Sequence, residues 1–471
     1  MLRIALLALP LLAFSSQAYG QVSPGRPPDA IPGPPYRPLP FDEDWRFVEE
    51  GETRSQDRSY RFKYQPLTPD GFVRGSFGAE FRATVNSFSD LDFGAAKAGD
   101  DNVFLGRVLL HGELLFGERA RLFGTFQYAE EAGLDGPARS VNVDRGDIQN
   151  LFLDTYFTLP AAEATVRVGR QELSYGVARL IGTRDGPGVR QAFDGGKIIL
   201  AGLQDWSVDA FYMKPTEDSI GSFDDDIGDD RELFGVYYTD KRLIPHSTFE
   251  AYYLGFTQDR AIFDEGTAES ERHTLGFHIS GATANWDWDA EAAYQFGSFG
   301  SGDISAWTAA LEAGYTFKQA AWSPRIGIGG SIISGDDDNG DGDLETFEAP
   351  FPRGSYFDPA GLIGPRNLLH VQPQLTVKPH RNVSATLYSN HYWRFSTDDG
   401  LYNSGGRLVR SGADTDEREI GHSVALGVDW RPNQHWLLEL EYIHFFTGDF
   451  ISETGSSKDS DYFEFELTYR F

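Results

Sequence analysis

The chain reads as all-β: a closed antiparallel transmembrane β-barrel of about 18 strands, with short periplasmic turns and long extracellular loops. Three observations lead there. Period-two alternation of apolar and polar residues recurs along most of the length. The connectors between these segments are alternately short and long. The last strand, Phe463-Glu464-Phe465-Glu466-Leu467-Thr468-Tyr469-Arg470-Phe471, alternates to its final aromatic residue, where a soluble chain would fray.

Residues 1–20 read as a signal peptide. Arg3 supplies the basic start, and Ile4 to Phe14 is an apolar core too short to span a bilayer as a helix. Ser16-Gln17-Ala18 or Ala18-Tyr19-Gly20 offers the small residues of a cleavage site. Residues 21–69 form a periplasmic leader and lead-in. Gln21 to Pro40 is Pro-rich and is expected to be extended, with polyproline II character, and largely disordered. Glu43-Asp44-Trp45-Arg46-Phe47 and Phe62 to Leu67 look ordered and are expected to pack against the barrel or lead into it.

The barrel occupies residues 70–471. Val73, Gly75, Phe77, Ala79, Phe81, Ala83 and Val85 share one face. Arg74, Ser76, Gly78, Glu80, Arg82, Thr84 and Asn86 share the other. Phe104 to Phe116, Trp286 to Gln295 and Trp307 to Lys318 repeat the pattern. Short connectors include Gly117-Glu118, Pro160 to Ala162, Gln204-Asp205 and Pro379 to Asn382. Long ones include Asp90 to Asn102, Ala132 to Asp147, Glu217 to Asp230, Gly335 to Pro365 and Ser396 to Glu417. A barrel of this size leaves an aqueous channel unless loops plug it.

Composition agrees. The 471 residues include no Cys and 52 Gly, with 14% aromatics, so its core or its barrel closure, and not disulfides, must stabilise this exported chain. The formal charge of −30 fits acidic loops and gives no reason to expect a nucleic-acid partner. The expected partners are the outer-membrane bilayer of a Gram-negative bacterium and, through the terminal strand, the barrel-assembly machinery. A monomer is expected.

Alternation also lists the wet face. Its early strands carry Arg74, Glu80, Arg82, Arg107, Glu113, Arg121, Asp154 and Arg167. Later strands carry Asp209, Glu250, Asp287, Asp289, Glu291, Glu312, Glu439, Glu441, Glu464 and Glu466, interrupted by Arg325, Arg394 and Arg470. The wall thus divides into basic and acidic halves, which would set a transverse field across the pore. Cross-strand pairing, which would cancel that field, is the competing reading. Arg170 and Glu172 point to lipid by strict alternation. A bulge at Gly169 would turn them inward, or they stand at the mouth with Arg179, Arg184, Arg190 and Asp194, which are equally suited to structural ion pairs.

Asp337 to Glu348 matches a twelve-residue calcium loop position by position. Asp337, Asn339 and Asp341 occupy the first three ligand positions, Gly342 the turn, Asp343 the carbonyl position and Glu348 the last carboxylate. Its flanks read as strands, so it is no EF-hand. It is a candidate Ca2+ site that would order the loop; otherwise it is an acidic, solvated loop. Passage through the pore requires no cofactor.

Several motifs in order carry a resemblance. They are Glu43 to Phe47, Phe62 to Leu67, Gly75 to Arg82, Val168 to Gly182 with Arg190 and Phe193-Asp194-Gly195, and Ser334-Gly335-Asp336 followed by Thr346-Phe347 and Phe351-Pro352. Together they resemble the alginate export family of outer-membrane barrels across the whole mature chain. The resemblance implies an eighteen-stranded barrel and passive passage of a polar, often anionic, saccharide or similar small organic solute. Its founding members export alginate through an arginine-rich lumen. After Arg184-Asp185 this chain has Gly186-Pro187-Gly188 in place of a Trp-containing stretch, so the loop's role does not carry over in detail.

An enzyme is not expected. There is no Gly-x-Ser-x-Gly, and the ten His show no metal-ligand spacing. A non-transporting receptor or adhesin barrel and an uptake porin for an unrelated nutrient are the alternatives.

Overall fold

The computed structural model describes residues 36–49, 57–95, 101–133 and 137–471. Within them 18 antiparallel strands close into one barrel. The first six are β1 (Val73–Phe88), β2 (Asp101–Phe116), β3 (Ala120–Ala132), β4 (Asp144–Thr158), β5 (Ala162–Gln171) and β6 (Phe193–Gly202). Then come β7 (Trp206–Glu217), β8 (Arg231–Asp240), β9 (Ser247–Ile262), β10 (Thr267–Ala282), β11 (Trp286–Phe299) and β12 (Gly302–Thr316). The last six are β13 (Arg325–Ile333), β14 (Leu368–His380), β15 (Val383–Arg394), β16 (Glu419–Trp430), β17 (Trp436–Thr447) and β18 (Ser460–Arg470). Residues 1–20, expected to be a signal peptide, and residues 21–35 lie outside the described residues.

An even strand number puts both ends of the barrel at the same rim. That rim carries the short turns, such as 117–119, 203–205 and 431–435. The opposite rim carries the long loops 172–192, 218–230, 334–367 and 395–418. The seam joins β18 to β1 in the register Glu80↔Arg470, Thr84↔Glu466 and Phe88↔Tyr462. Phe471 extends it: its N–H donates to the Ala79 carbonyl, and the Ala79 N–H donates back, each at 3.0 Å. The buried Lys63 ammonium donates to the same Phe471 oxygen at 3.3 Å.

The outer surface is that of a membrane barrel. Leu275, Leu311 and Ile328 are more than half exposed at mid-height. Exposed Phe157, Trp286, Phe317, Trp430 and Trp436 ring the short-turn rim, and Phe104, Tyr128, Phe296 and Trp307 ring the other. These are the two aromatic girdles of a bilayer-spanning strand set. Among the described residues no helix is long and apolar enough to cross a membrane; the chain crosses with strands.

Part of the leader departs from expectation. Tyr36 and Leu39, inside the span expected to be disordered, are buried. Short 3-10 turns at Pro40–Asp42, Arg46–Glu49 and Arg58–Phe62 fold this segment across the short-turn rim. Trp45, Val48 and Tyr60 make a small core with Tyr36, and Asp57 holds the 431–435 turn by hydrogen bonds with Gln434 and His435, 2.7 Å each.

Candidate channel site

The lumen is filled from both ends. At Gln171 the chain leaves β5 and turns inward, so 172–192 is an inward loop. The backbone N–H of Gly182 donates to the Phe351 carbonyl at 2.7 Å, and that of Phe351 donates to Leu180 at 2.9 Å. The loops 172–192 and 334–367 thereby form a short parallel bridge inside the barrel. The 395–418 loop joins them: Asp399 accepts from Thr346 Oγ1 at 2.6 Å and Tyr402 OH at 2.7 Å. Leu180, Ile181, Phe347, Phe351, Phe357 and Tyr402 from these loops pack on wall residues Phe193, Met213, Leu233, Tyr252 and Phe256. Apolar residues on both sides drive this burial.

From the short-turn rim the leader enters. Phe41 packs edge-on against Phe123 and Phe152, with centroids 5.6 and 5.3 Å apart. Arg121 donates to the Phe41 carbonyl at 2.7 Å, and Arg190 to the Pro38 carbonyl at 3.1 Å. Leader and inward loop thus meet at Arg190.

Charge pairing holds the loop tip. Asp185 receives Arg107 at 2.6 Å, Arg82 at 3.0 Å and Arg190 at 3.4 Å. Burial alone would raise its carboxyl, but the guanidinium groups of Arg107, Arg82 and Arg190 hold it well below the usual carboxylate range. Arg107 also reaches Glu80 at 2.7 Å, Arg82 reaches Glu466 at 3.2 Å, and Arg190 reaches Glu172 at 2.7 Å. Arg470 closes the web on Glu80 at 2.7 Å.

A cavity of about 600 Å3 lies beside this web. Its barrel side is the wall at β17–β18 and β1–β2, including Arg82, Glu439, Glu464, Glu466 and Arg470. Its loop side is mostly uncharged, with Gly186, Pro187, Gly354, Pro359, Ala360 and Leu362.

The sequence-predicted residues divide by this geometry. Arg82 and Arg470 border the cavity. Glu80 and Arg107 stand behind them in the ion web. Arg121 and Arg167 grip Asp154 at 2.6 and 2.8 Å, with Glu113 3.7 Å from Arg121. Arg74 lies over the Tyr64 ring at 4.5 Å. On the far wall Arg179 bridges Asp289 and Glu291 at 2.7 and 3.1 Å, and Asp287 holds Arg325 at 2.5 Å. Cross-strand and loop-to-wall pairing therefore claims most of the arginines expected to line an open pore. Glu172 lies inside because the chain turns in after Gln171; the Asn150 side chain donates to it at 2.9 Å.

Three placements differ from the sequence reading. Arg170 and Asp194 pair at 3.0 Å on the outer face and not in the lumen. The register Leu151↔Arg170, Phe152↔Gly169 and Leu153↔Val168 runs one-to-one through Gly169, so no bulge turns them inward and alternation holds. Arg394 is on the inner face yet wholly buried. It donates to loop carbonyls, including those of Thr397 at 2.8 Å and Thr415 at 2.6 Å, and so braces the 395–418 loop. The calcium-loop set Asp337, Asn339, Asp341, Asp343 and Glu348 is not gathered round one point. Glu348 is bound by Arg366 and by Gln258 at 2.9 Å, and Asp343 accepts from the Asp303 N–H at 2.7 Å. The carboxylates that do converge are Asp336, Asp337 and Glu345, with oxygens within 4.8 Å of one another.

Residues missed in the sequence are the loop tip, above all Asp185, and the leader residues Pro38 and Phe41. A signal existed. Phe347, Phe351, Tyr356 and Phe357 crowd a connector that would otherwise be solvated, and such aromatic density in a loop points inward.

The comparisons with known proteins agree with this architecture. A family model described as alginate export matches residues 73–465. The crystal structure of Acinetobacter baumannii OccAB1 superposes with a TM-score of 0.58 at 13% identity, covering 88% of this chain and 99% of that one. A BenF-like porin from Pseudomonas fluorescens Pf-5 gives 0.57 at 10% identity, covering 84% and 98%. Pseudomonas aeruginosa OccK2 (OpdF) in complex with glucuronate gives 0.54 at 10% identity, covering 84% and 98%. At these identities the likeness shows the fold. No curated protein sequence matches the chain.

Proposed function

The chain belongs to the alginate export family and is an outer-membrane porin, and we propose that it gives passive, charge-selective passage to small polar organic solutes bearing a carboxylate, an acidic sugar among them. The observation that carries this reading is the filled lumen. Three loops and the leader narrow the lumen, and beside them lies a cavity of about 600 Å3, within the range of small-molecule sites. Arg82 and Arg470 border that cavity, and guanidinium holds carboxylates in a planar, bidentate way. The glucuronate in the OccK2 complex is a solute of this chemistry.

The test is current through the purified protein in a planar bilayer. Glucuronate is expected to interrupt the current in a concentration-dependent way, and glucose at equal concentration to leave it unchanged. Arg82→Gln is expected to weaken the interruption. Equal effects of acid and neutral sugar would remove the charge-selective part of the reading. A folded barrel that passes neither ions nor solutes would leave a receptor or adhesin.

A further inference from the structure

We propose that the short-turn rim holds one anionic phospholipid of the periplasmic leaflet, with an acyl chain in a notch on the outer wall and the phosphate on Arg61 of the leader. The site lies on the lipid side of the barrel and does not depend on what the pore passes.

The first ground is the course of the leader. It joins the wall where β18 ends. Gln65 and Pro66 pair with Gly75 and Arg74, and the Leu67 N–H donates to the Val73 carbonyl at 2.8 Å. The Phe62 ring lies 6.2 Å from that of Phe471, centroid to centroid. This arm carries Phe62 and Leu67 exposed. They stand beside the short-turn aromatic girdle, where such side chains meet lipid and not water.

The second ground is the notch. Across β1, β2, β3 and β4 one outward row reads Phe77, Gly112, Gly124 and Leu151. The next row toward the short-turn rim reads Gly75, Leu114, Leu122 and Leu153. Glycine weakens a strand interior and often marks a place where a ligand approaches closely. The backbone does not demand these two. A Cβ on Gly112 would meet only the Ser76 carbonyl, at 3.4 Å, and one on Gly124 only the Asn150 carbonyl and Leu151, each at 3.7 Å. Two glycines side by side between Phe77 and Leu151 leave a depression in an otherwise bulky face. With Phe62 and Leu67 of the leader at its edge it forms a cavity of about 450 Å3, apolar in its lining.

The third ground is charge. Arg61 borders the same cavity. Its guanidinium lies 4.7 Å over the Phe62 ring, and no carboxylate among the described residues pairs with it. On the inner wall Arg82, Arg107 and Arg121 are all paired. An unpaired cation at the mouth of an apolar notch, at the height of the headgroups, complements a phosphate above an acyl chain. A second copy of the chain, docked two-fold on this face, would add a second unpaired Arg61 to the patch; a lipid phosphate neutralises the one already there. A lipid seated here touches both arm and wall, and so fastens the leader to the barrel.

The experiment is native mass spectrometry of the mature protein extracted in detergent, titrated with phosphatidylglycerol or with phosphatidylethanolamine of the same acyl chains. One phosphatidylglycerol is expected to be retained at about one tenth the lipid concentration that phosphatidylethanolamine needs, the gain from one charge-assisted contact. Arg61→Gln is expected to bring phosphatidylglycerol to the phosphatidylethanolamine value. Gly124→Leu fills the notch and is expected to weaken retention of both lipids about tenfold. Heat-modifiable migration checks that each variant is folded, and the wild-type comparison of the two lipids does not depend on either. Equal retention of the two lipids by the wild type would overturn the inference, as would folded variants that retain phosphatidylglycerol like the wild type. A dimer that Gly124→Leu dissociates would give the notch to a second copy and overturn it too.

Discussion

Replacing Asp185 by Asn isolates the ion web from the apolar core beneath it. The Asp185 carboxylate sits 2.6 Å from Arg107, 3.0 Å from Arg82 and 3.4 Å from Arg190. Asn keeps the size and loses the charge. Removing one partner from a buried pair costs about 3–5 kcal/mol, because a charge is left uncompensated. Here each guanidinium keeps a second carboxylate: Glu80 for Arg107, Glu466 for Arg82 and Glu172 for Arg190. The loss therefore falls at the low end, about 3 kcal/mol, which is about a hundredfold in the opening equilibrium of the tip. Hydrogen exchange reads that equilibrium directly. The amides of Val189 and Gln191, bonded to the Val141 and Thr183 carbonyls at 3.0 and 2.8 Å, are expected to exchange about a hundredfold faster in Asp185→Asn. The amides of Gly182 and Phe351 lie in the bridge between the two inward loops and are expected to keep their protection. Tip rates within about threefold of the wild type, or an equal rise at Gly182 and Phe351, would refute the assignment of the tip to ion pairing.

Other perturbations address the remaining parts. Phe41→Ala removes the ring that packs edge-on against the stacked Phe123 and Phe152 and is expected to cost leader docking about 3 kcal/mol, seen as faster proteolysis of the leader and a larger single-channel step. Burial, with Glu345 alongside, pushes Asp336 up to about 8, and burial pushes Asp399 up to about 6 against its hydrogen bonds from Thr346 and Tyr402. Raised carboxyls favour the packed loops when neutral. That stability is full below about pH 4 and is lost as pH rises through about 6 to 8. Exchange of the 334–346 amides is expected to speed up across that window, and Asp336→Asn to flatten the change. Deleting Phe471 removes both seam hydrogen bonds to Ala79 and the Lys63 contact. It is expected to lower the yield of assembled barrel in the outer membrane while export across the inner membrane continues; normal outer-membrane levels would count against a recognition role for the terminal aromatic.

The wall was legible in the sequence because alternation is a local rule. Phe77, Phe81 and Val85 face lipid and Glu80 and Arg82 face in, as period two requires. Pairing was less legible. Whether Arg107 meets Glu80, or Glu439 meets Glu466, depends on register, and register depends on turn length far from either residue. Arg170 and Asp194 show the limit of reading one motif as one surface. They flank Glu172 and Arg190 in the sequence, but the chain turns inward after Gln171 and rejoins the wall at Phe193, so the flanking pair lies on the outer face and the residues between lie inside. The inward course of 172–192 and 334–367 was the least legible. It is set by contacts between segments more than 150 residues apart, such as Gly182 with Phe351.

The lumen is closed by two kinds of contact, and they yield to different forces. The tip at Asp185 is held by charge and can loosen alone. The core beneath it is shared: Leu180 and Ile181 pack with Phe347 and Phe351, and Thr346 and Tyr402 both bind Asp399. Withdrawing any one of those loops would expose apolar side chains and strand buried hydrogen-bonding groups on the other two, each at a cost of its own. The loops therefore move together or stay. Passage of a polymer wider than the cavity would need that core dismantled, whereas the proposed small solutes match the volume already open beside it. That difference favours small-solute passage over polysaccharide export for this member of the family, and it makes the face of β17, β18 and β1 the place where selectivity is to be changed by substitution.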